Sequence, residues 1–446
     1  RQELAEAMGA AQAAELRGLG INVNFAPSLD VNSNPDNPVI HVRAFGDDPR
    51  QVAQLGAAVV RGLQGGAVAS AIKHFPGHGD TADDSHTGLP RVERDRDTAL
   101  AVDVAPFAGV IRAASPDMVM TAHIQYPALD PGCLPGTDCI RPATLSRPIL
   151  TGLLRETLGF TGVIITDALD MRAISDRLSA EDAVEACFMA GADIALMPVL
   201  VRDADSLARL QALVPHLVEA VRDGRLDEAE IRASAARIQA LQARYALPAP
   251  VGEDCVGCPA HLVLEQRIAA GSVTLLHGVP RMLAPGDRVH LLMPGRDSAA
   301  AMAAALHELS PELVITAHSL EQFDAAREQR SIADADTLLV GVSEPVSSAV
   351  AVGGAEDLAA LAGHSPAAVQ HWALQRAAGK HRIVAMLFSP YPATAFFREA
   401  DTVYATFDGA AEGFGGAPGP AYRALAAVLC GKTGATGELP IRLAPA

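Results

Sequence analysis

SAIKHFPGHGDTADDSH, residues 70–86, starts as an apolar strand and ends as a loop of titratable side chains. Ala71 and Ile72 suit a buried strand, and Pro76, Gly77 and Gly79 then break it. Two chemistries suit the loop. His74, His78, Asp80 and His86 have the short spacing of metal ligands. Alternatively, Asp84 lies two residues before His86, where a carboxylate can orient the imidazole and strengthen its hold on a proton, as general acid–base work requires. A solvated acidic loop is the plainer reading of the same residues.

The strand-then-polar-loop layout recurs along the chain. INVNFAPSLD (21–30), MVMTAHIQYP (118–127), GVIITDALDM (162–171) and GADIALMPVL (191–200) each run apolar into Pro, Gly or Asp, with helical patterns between them. Nearly uniformly apolar strands alternating with helices mean a parallel sheet covered on both faces. Asp30, Arg43, Lys73 with His74, His123 and Asp167 all fall just after strands. That placement predicts an α/β fold of the (β/α)8 TIM-barrel type, whose site is built at the carboxyl ends of the strands. Only five clear strands precede residue 200, so the barrel is expected to lack its N-terminal units. After two helical segments, LPAPVGEDCVGCPAH breaks the pattern. The expected division is therefore a barrel domain over 1–246, a linker over 247–262, and a six-stranded α/β sandwich over 263–446.

Composition narrows the function. Thirty-five basic against 52 acidic residues leave a formal charge of −17, which argues against nucleic acid or an anionic membrane as partner. No run of eighteen apolar residues could span a bilayer. The expected partner is a small substrate, with no cofactor; oligomeric state is not encoded in any pattern found. Cys133 and Cys139 close a short loop, and Cys255 and Cys258 form C-x-x-C. Two local disulfides are the reading adopted for these pairs, which would place the protein in an oxidising, exported or cell-wall setting; without them the cytoplasm is the alternative.

Several candidates carry two readings. Asp167, ending the strand Val163–Ile165, is placed as a nucleophile or as a helix N-cap. Lys73 and His74 could hold vicinal hydroxyls, or alternate to opposite faces of the strand. Arg43 could clamp a hydroxyl, or pair with Asp47 or Asp48. Asp30 terminates its strand as a ligand or a turn former. His123 and Met171 could line a pocket or simply pack.

Together KHFPGHGDT with DSH, TAHIQYP, PATLS, LLRETLGFTGVIITDALDM and GADIALMP resemble glycoside hydrolase family 3, within it the β-N-acetylglucosaminidase subgroup. NFAPSLDVNSNPDNPVIHVRAFGDDP and the C-terminal GELPIRL extend the resemblance over essentially the whole chain. It implies a retaining exo-β-N-acetylglucosaminidase with Asp167 as nucleophile and an Asp84–His86 dyad as acid/base. It further implies Lys73, His74 and Arg43 as holders of sugar hydroxyls, with Asp30 and Met171 at the substrate site, and no metal. The family's D-x-E-G-G segment has no counterpart here. A β-glucosidase or a phosphorylase is the alternative within the family. A metal-dependent hydrolase or a non-catalytic sugar-binding protein is the alternative outside it.

Overall fold

The computed structural model describes residues 1–82, 88–246, 252–343 and 365–443. Asp84 and His86 lie outside the described residues. The chain divides into two compact units, Arg1–Val256 and Gly257–Ala446.

In the first unit, helix α1 (Gln2–Gly18) precedes β1 (Val23–Asn24), α2 (Pro49–Gly65) and β2 (Ala69–Phe75). A long helix follows in three windings: α3 (Arg96–Thr98), a π-helical turn (Ala99–Val104) and α4 (Ala105–Ala114). Then come β3 (Met118–Thr121), a π-helix over Pro148–Thr157, β4 (Val163–Ile165), and helices α5 (Arg172–Ser175), α6 (Ala180–Ala190), α7 (Ala204–Arg222) and α8 (Glu228–Arg244). The four strands pair in chain order, all parallel, with Ala71 beside Met118 and Met118 beside Val163. GADIALMPVL contributes only a single bridge, Ile165 to Ile194, and not the full strand expected.

Side chains on these strands are buried in two directions. Ala71, Met118, Met120, Val163 and Ile165 form one cluster, joined by Val23, Phe25 and Ile194. The alternate residues Ile72, Val119 and Ile164 pack into another with Val60, Phe107, Leu150, Leu154 and Val184 from the helical layer. Period-two alternation with both faces dry is why the strands read as continuous apolar runs.

The second unit opens with α9 (Pro259–Ser272) and β5 (Thr274–Gly278). It continues through β6 (Arg288–Met293), α10 (Arg296–Leu309), β7 (Val314–Ser319), α11 (Ala325–Asp334), β8 (Thr337–Val342), α12 (Pro366–Arg376), β9 (His381–Met386), β10 (Thr402–Ala405) and α13 (Pro420–Leu429). All six expected strands form, in the order β5-β10-β9-β8-β6-β7, with β5 alone antiparallel to its neighbour. One apolar cluster lies on the side of α9, α10 and α13 and a second on the side of α11 and α12, so the sheet is a sandwich filling.

Two expectations are corrected. The stretch 247–262 is not linker throughout, because α9 begins at Pro259, a residue preorganised for a first helical turn. All six cysteines are free. Cys133 bridges Ile140, not Cys139, and that one-residue offset turns neighbouring side chains to opposite faces. The Cys139 sulfur lies 3.4 Å from Gln125 Nε2. Cys255 donates to the Ala14 carbonyl at 3.2 Å, while Cys258 sits at the N-terminus of α9. The argument for an oxidising compartment falls with the two bridges. Among the described residues no helix is long and apolar enough to cross a membrane.

Candidate functional site

Alternation along the strands decides what reaches the site. Lys73 follows Ala71, and Asp167 follows Ile165, at the two-residue spacing that keeps side chains on the interior face. Strict alternation would send His74 the other way. The register of β2 against β3 shifts between Ile72 and Phe75, and His74 is nonetheless close enough to Asp167 to stabilise its charge. The Lys73–His74 peptide is cis, as are Ala26–Pro27 and Phe75–Pro76. Lys73 and His74 both act on the charge of Asp167.

Asp167 is half-buried, and its Oδ1 accepts the Ala168 N–H at 2.8 Å. Burial works to raise its pKa, but His74, His123, that N–H and Lys73 outweigh it and hold the carboxyl below the usual carboxylate range. Its anion is thus the favoured form. Lys73 is pushed the other way: burial and the nearby Arg43 lower its pKa, against the pull of Asp167 and Asp30.

Asp30 has no exposed surface. Oδ2 accepts from the Ser28 hydroxyl and faces His74 Nδ1, both at 2.7 Å; Oδ1 accepts the backbone N–H of His74 at 3.2 Å and of His78 at 2.7 Å. Burial opposes the charge, yet His74, with hydrogen bonds from His74 and Ser28, keeps Asp30 well below the usual range. Both oxygens are engaged inside the protein, shaping the loop from beneath.

That loop is held at several further points. His78 Nδ1 lies 2.8 Å from the Thr81 hydroxyl, and Asn37 donates to the His78 carbonyl at 2.8 Å. Gly77 sits at φ +132°, where a Cβ would come within 2.8 Å of Asp103. Arg94 binds both oxygens of Asp103, at 2.9 and 3.0 Å, and reaches Asp80 at 2.6 Å. His74, His78 and Asp80 thus turn to three different sets of partners, and among the described residues they do not converge as metal ligands.

Arg43, exposed on a turn, donates to the Val39 carbonyl at 3.2 Å, and Asp48 caps α2 by accepting from Arg50 N–H. Met171 is 8% exposed and leads into α5. His123 is more than a packed residue. Its Nδ1 lies 2.8 Å from Thr144 Oγ1, and its Nε2 lies 2.9 Å from the carbonyl of Ala168, next to Asp167. Thr144 is itself tied to Thr121 and to the Ala122 carbonyl. Sequence spacing gave no sign of this chain, since Thr144 is distant in sequence from both ends. Nor does RVERDRD distinguish Arg94 from Arg91 and Arg96.

An anionic carboxylate closing a parallel strand, with Lys73 and two histidines acting on its charge, has the setting of a catalytic nucleophile. Residues 1–241 match the glycosyl hydrolase family 3 N-terminal domain, and the chain belongs to that family of glycoside hydrolases. It is 40% identical to beta-hexosaminidase A of Pseudoalteromonas piscicida, over 96% of this chain and 74% of that protein. Against the beta-hexosaminidase of Pseudomonas aeruginosa it is 37% identical, over 44% of this chain and 55% of the relative. Among solved structures, a family 3 beta-N-acetylglucosaminidase from Paenibacillus superposes with TM-score 0.75 at 31% identity, covering 99% of this chain and 82% of that one.

Proposed function

We propose that the protein is a retaining exo-β-N-acetylglucosaminidase that removes terminal β-linked N-acetylglucosamine, with peptidoglycan fragments or chitooligosaccharides as substrates. The observation that carries this reading is Asp167, a strand-end carboxylate held in its anionic form by His74, His123, Lys73 and the Ala168 N–H. Similarity to beta-hexosaminidases and to a family 3 beta-N-acetylglucosaminidase supports the sugar class. Asp167 attacks the anomeric carbon while His86, paired with Asp84, gives its proton to the leaving oxygen. The imidazole, now neutral, takes a proton from the water that releases the sugar, so the incoming nucleophile meets no anionic base. Lys73, His74 and Arg43 hold sugar hydroxyls, and Asp30 acts through His74 as a positioning residue.

Turnover of an aryl β-N-acetylglucosaminide tests the assignment. Asp167→Ala should lose on the order of 10³-fold or more in kcat; a variant near wild-type rate removes Asp167 as nucleophile. In the same assay His86→Ala should lose more on poor leaving groups than on activated ones, and equal losses would discard His86 as the acid.

A further inference from the structure

The second unit carries a buried constellation that sugar hydrolysis leaves unused. His290 on β6 is in register with Thr316 on β7, and Leu292 with His318, so the two histidines are diagonal neighbours on one face of the sheet. Their rings meet edge to face, centroids 5.0 Å apart. Helix α11 covers this face and places Glu328 between them, Oε2 at 2.7 Å from His290 Nε2 and Oε1 at 2.5 Å from His318 Nδ1. His290 is 1% exposed and Glu328 fully enclosed, whereas His318, on the edge strand, keeps 15% of its side chain accessible. The cluster meets solvent on the His318 side.

The hydrogen-bond geometry asks for a cation. His290 Nδ1 lies 3.2 Å from the carbonyl of Thr316, which can only accept, so that nitrogen carries the hydrogen. Its Nε2 then aims a lone pair at a carboxylate oxygen 2.7 Å away unless a cation is shared between them. Either a second proton or a metal ion meets that need. A backbone carbonyl on the far nitrogen is also what a metal-ligating histidine commonly has, because it fixes tautomer and ring orientation. All three ligand atoms lie within 4.8 Å of one another, and two imidazoles with one carboxylate is a ligand set zinc accepts.

We propose that His290, His318 and Glu328 bind a divalent transition-metal ion, zinc by ligand chemistry, which ties edge strand β7 and helix α11 onto β6. Ligand atoms around a tetrahedral zinc are roughly 3.3 Å apart, so the 2.5 Å between His318 Nδ1 and Glu328 Oε1 widens as the ion enters. Arg327, 3.8 Å from Glu328, remains an outer partner.

The test uses the full chain, stripped with a chelator, incubated with zinc chloride and passed through gel filtration. Wild type should retain about one zinc per chain, and zinc at about 100 times its Kd should raise the melting temperature by on the order of 5–10 °C. His318→Ala should lose both effects, its zinc shift being read against that variant's own metal-free melting temperature. No retained zinc in wild type overturns the proposal, and the shared cation is then a proton. Undiminished zinc in His318→Ala also overturns it, placing the metal elsewhere. Should that variant fail to fold, cobalt loading of wild type decides: a tetrahedral visible band without sulfur charge transfer supports the site, and a thiolate band refutes it.

Discussion

Two carboxylates in this protein each face a pair of histidines, and they do different things. Asp30 spends one oxygen on the backbone N–H groups of His74 and His78 and the other on the His74 ring and Ser28. Glu328 takes ring nitrogens from both histidines and, in the bonds described above, no backbone group. A carboxylate that holds main chain determines the path of a loop; one that holds only side chains can exchange what lies between them. The difference separates a residue that builds a site from residues that could be one.

The largest effect that could break this comparison is at Asp30. Removing one partner from a buried, hydrogen-bonded ionic group costs about 3–5 kcal/mol. Asp30→Asn should show a loss of that order in denaturant unfolding, together with most turnover, and Glu328→Gln should lose less and leave turnover intact. Equal losses for the two variants would erase the distinction.

Acid should expose the Asp30 side next. His78, 2% exposed, has its pKa pushed down to about 4 by burial and by neighbouring His74. The folded state therefore refuses a proton that the unfolded chain accepts near its ordinary value of 6.5. Stability is intact above about pH 6.5 and declines as pH falls towards 4, by on the order of 3 kcal/mol across the window. His78→Asn should flatten that limb of the stability–pH curve; an unchanged limb would assign the decline to other groups.

The smallest effect concerns His123, which like His290 has one ring nitrogen on a backbone carbonyl. His123→Asn should lower kcat by about 10- to 100-fold through misplacement of Ala168 and Asp167, with little change in KM. Thr144→Val should follow in the same direction, less strongly. A rise in KM with kcat preserved would make His123 a sugar contact instead.

Much of this was legible in the sequence because strands and their polar ends are local patterns. SAIKHF, MVMT and VIIT announce dry strands, and Lys73 and Asp167 fall at the spacing that returns them to the interior. What escaped depends on distant partners. Asp30 looks like any strand-terminal aspartate until its backbone donors, over forty residues on, are known. Thr144 and His123 meet only after the chain has folded between them. The cysteine pairs misled for the converse reason, since nearness in sequence says nothing about which face a side chain takes.

The π-helical turn at Ala99–Val104 reaches further than its own helix. Asp103 sits in it, fully enclosed, gripping Arg94, which in turn grips Asp80 at the root of the histidine loop. Helical winding sets the direction of a side chain as a clock hand: one residue more or fewer rotates everything beyond it by about 100°. The wide turn is thus a timing element, setting Asp103 at the hour where Arg94 can reach it.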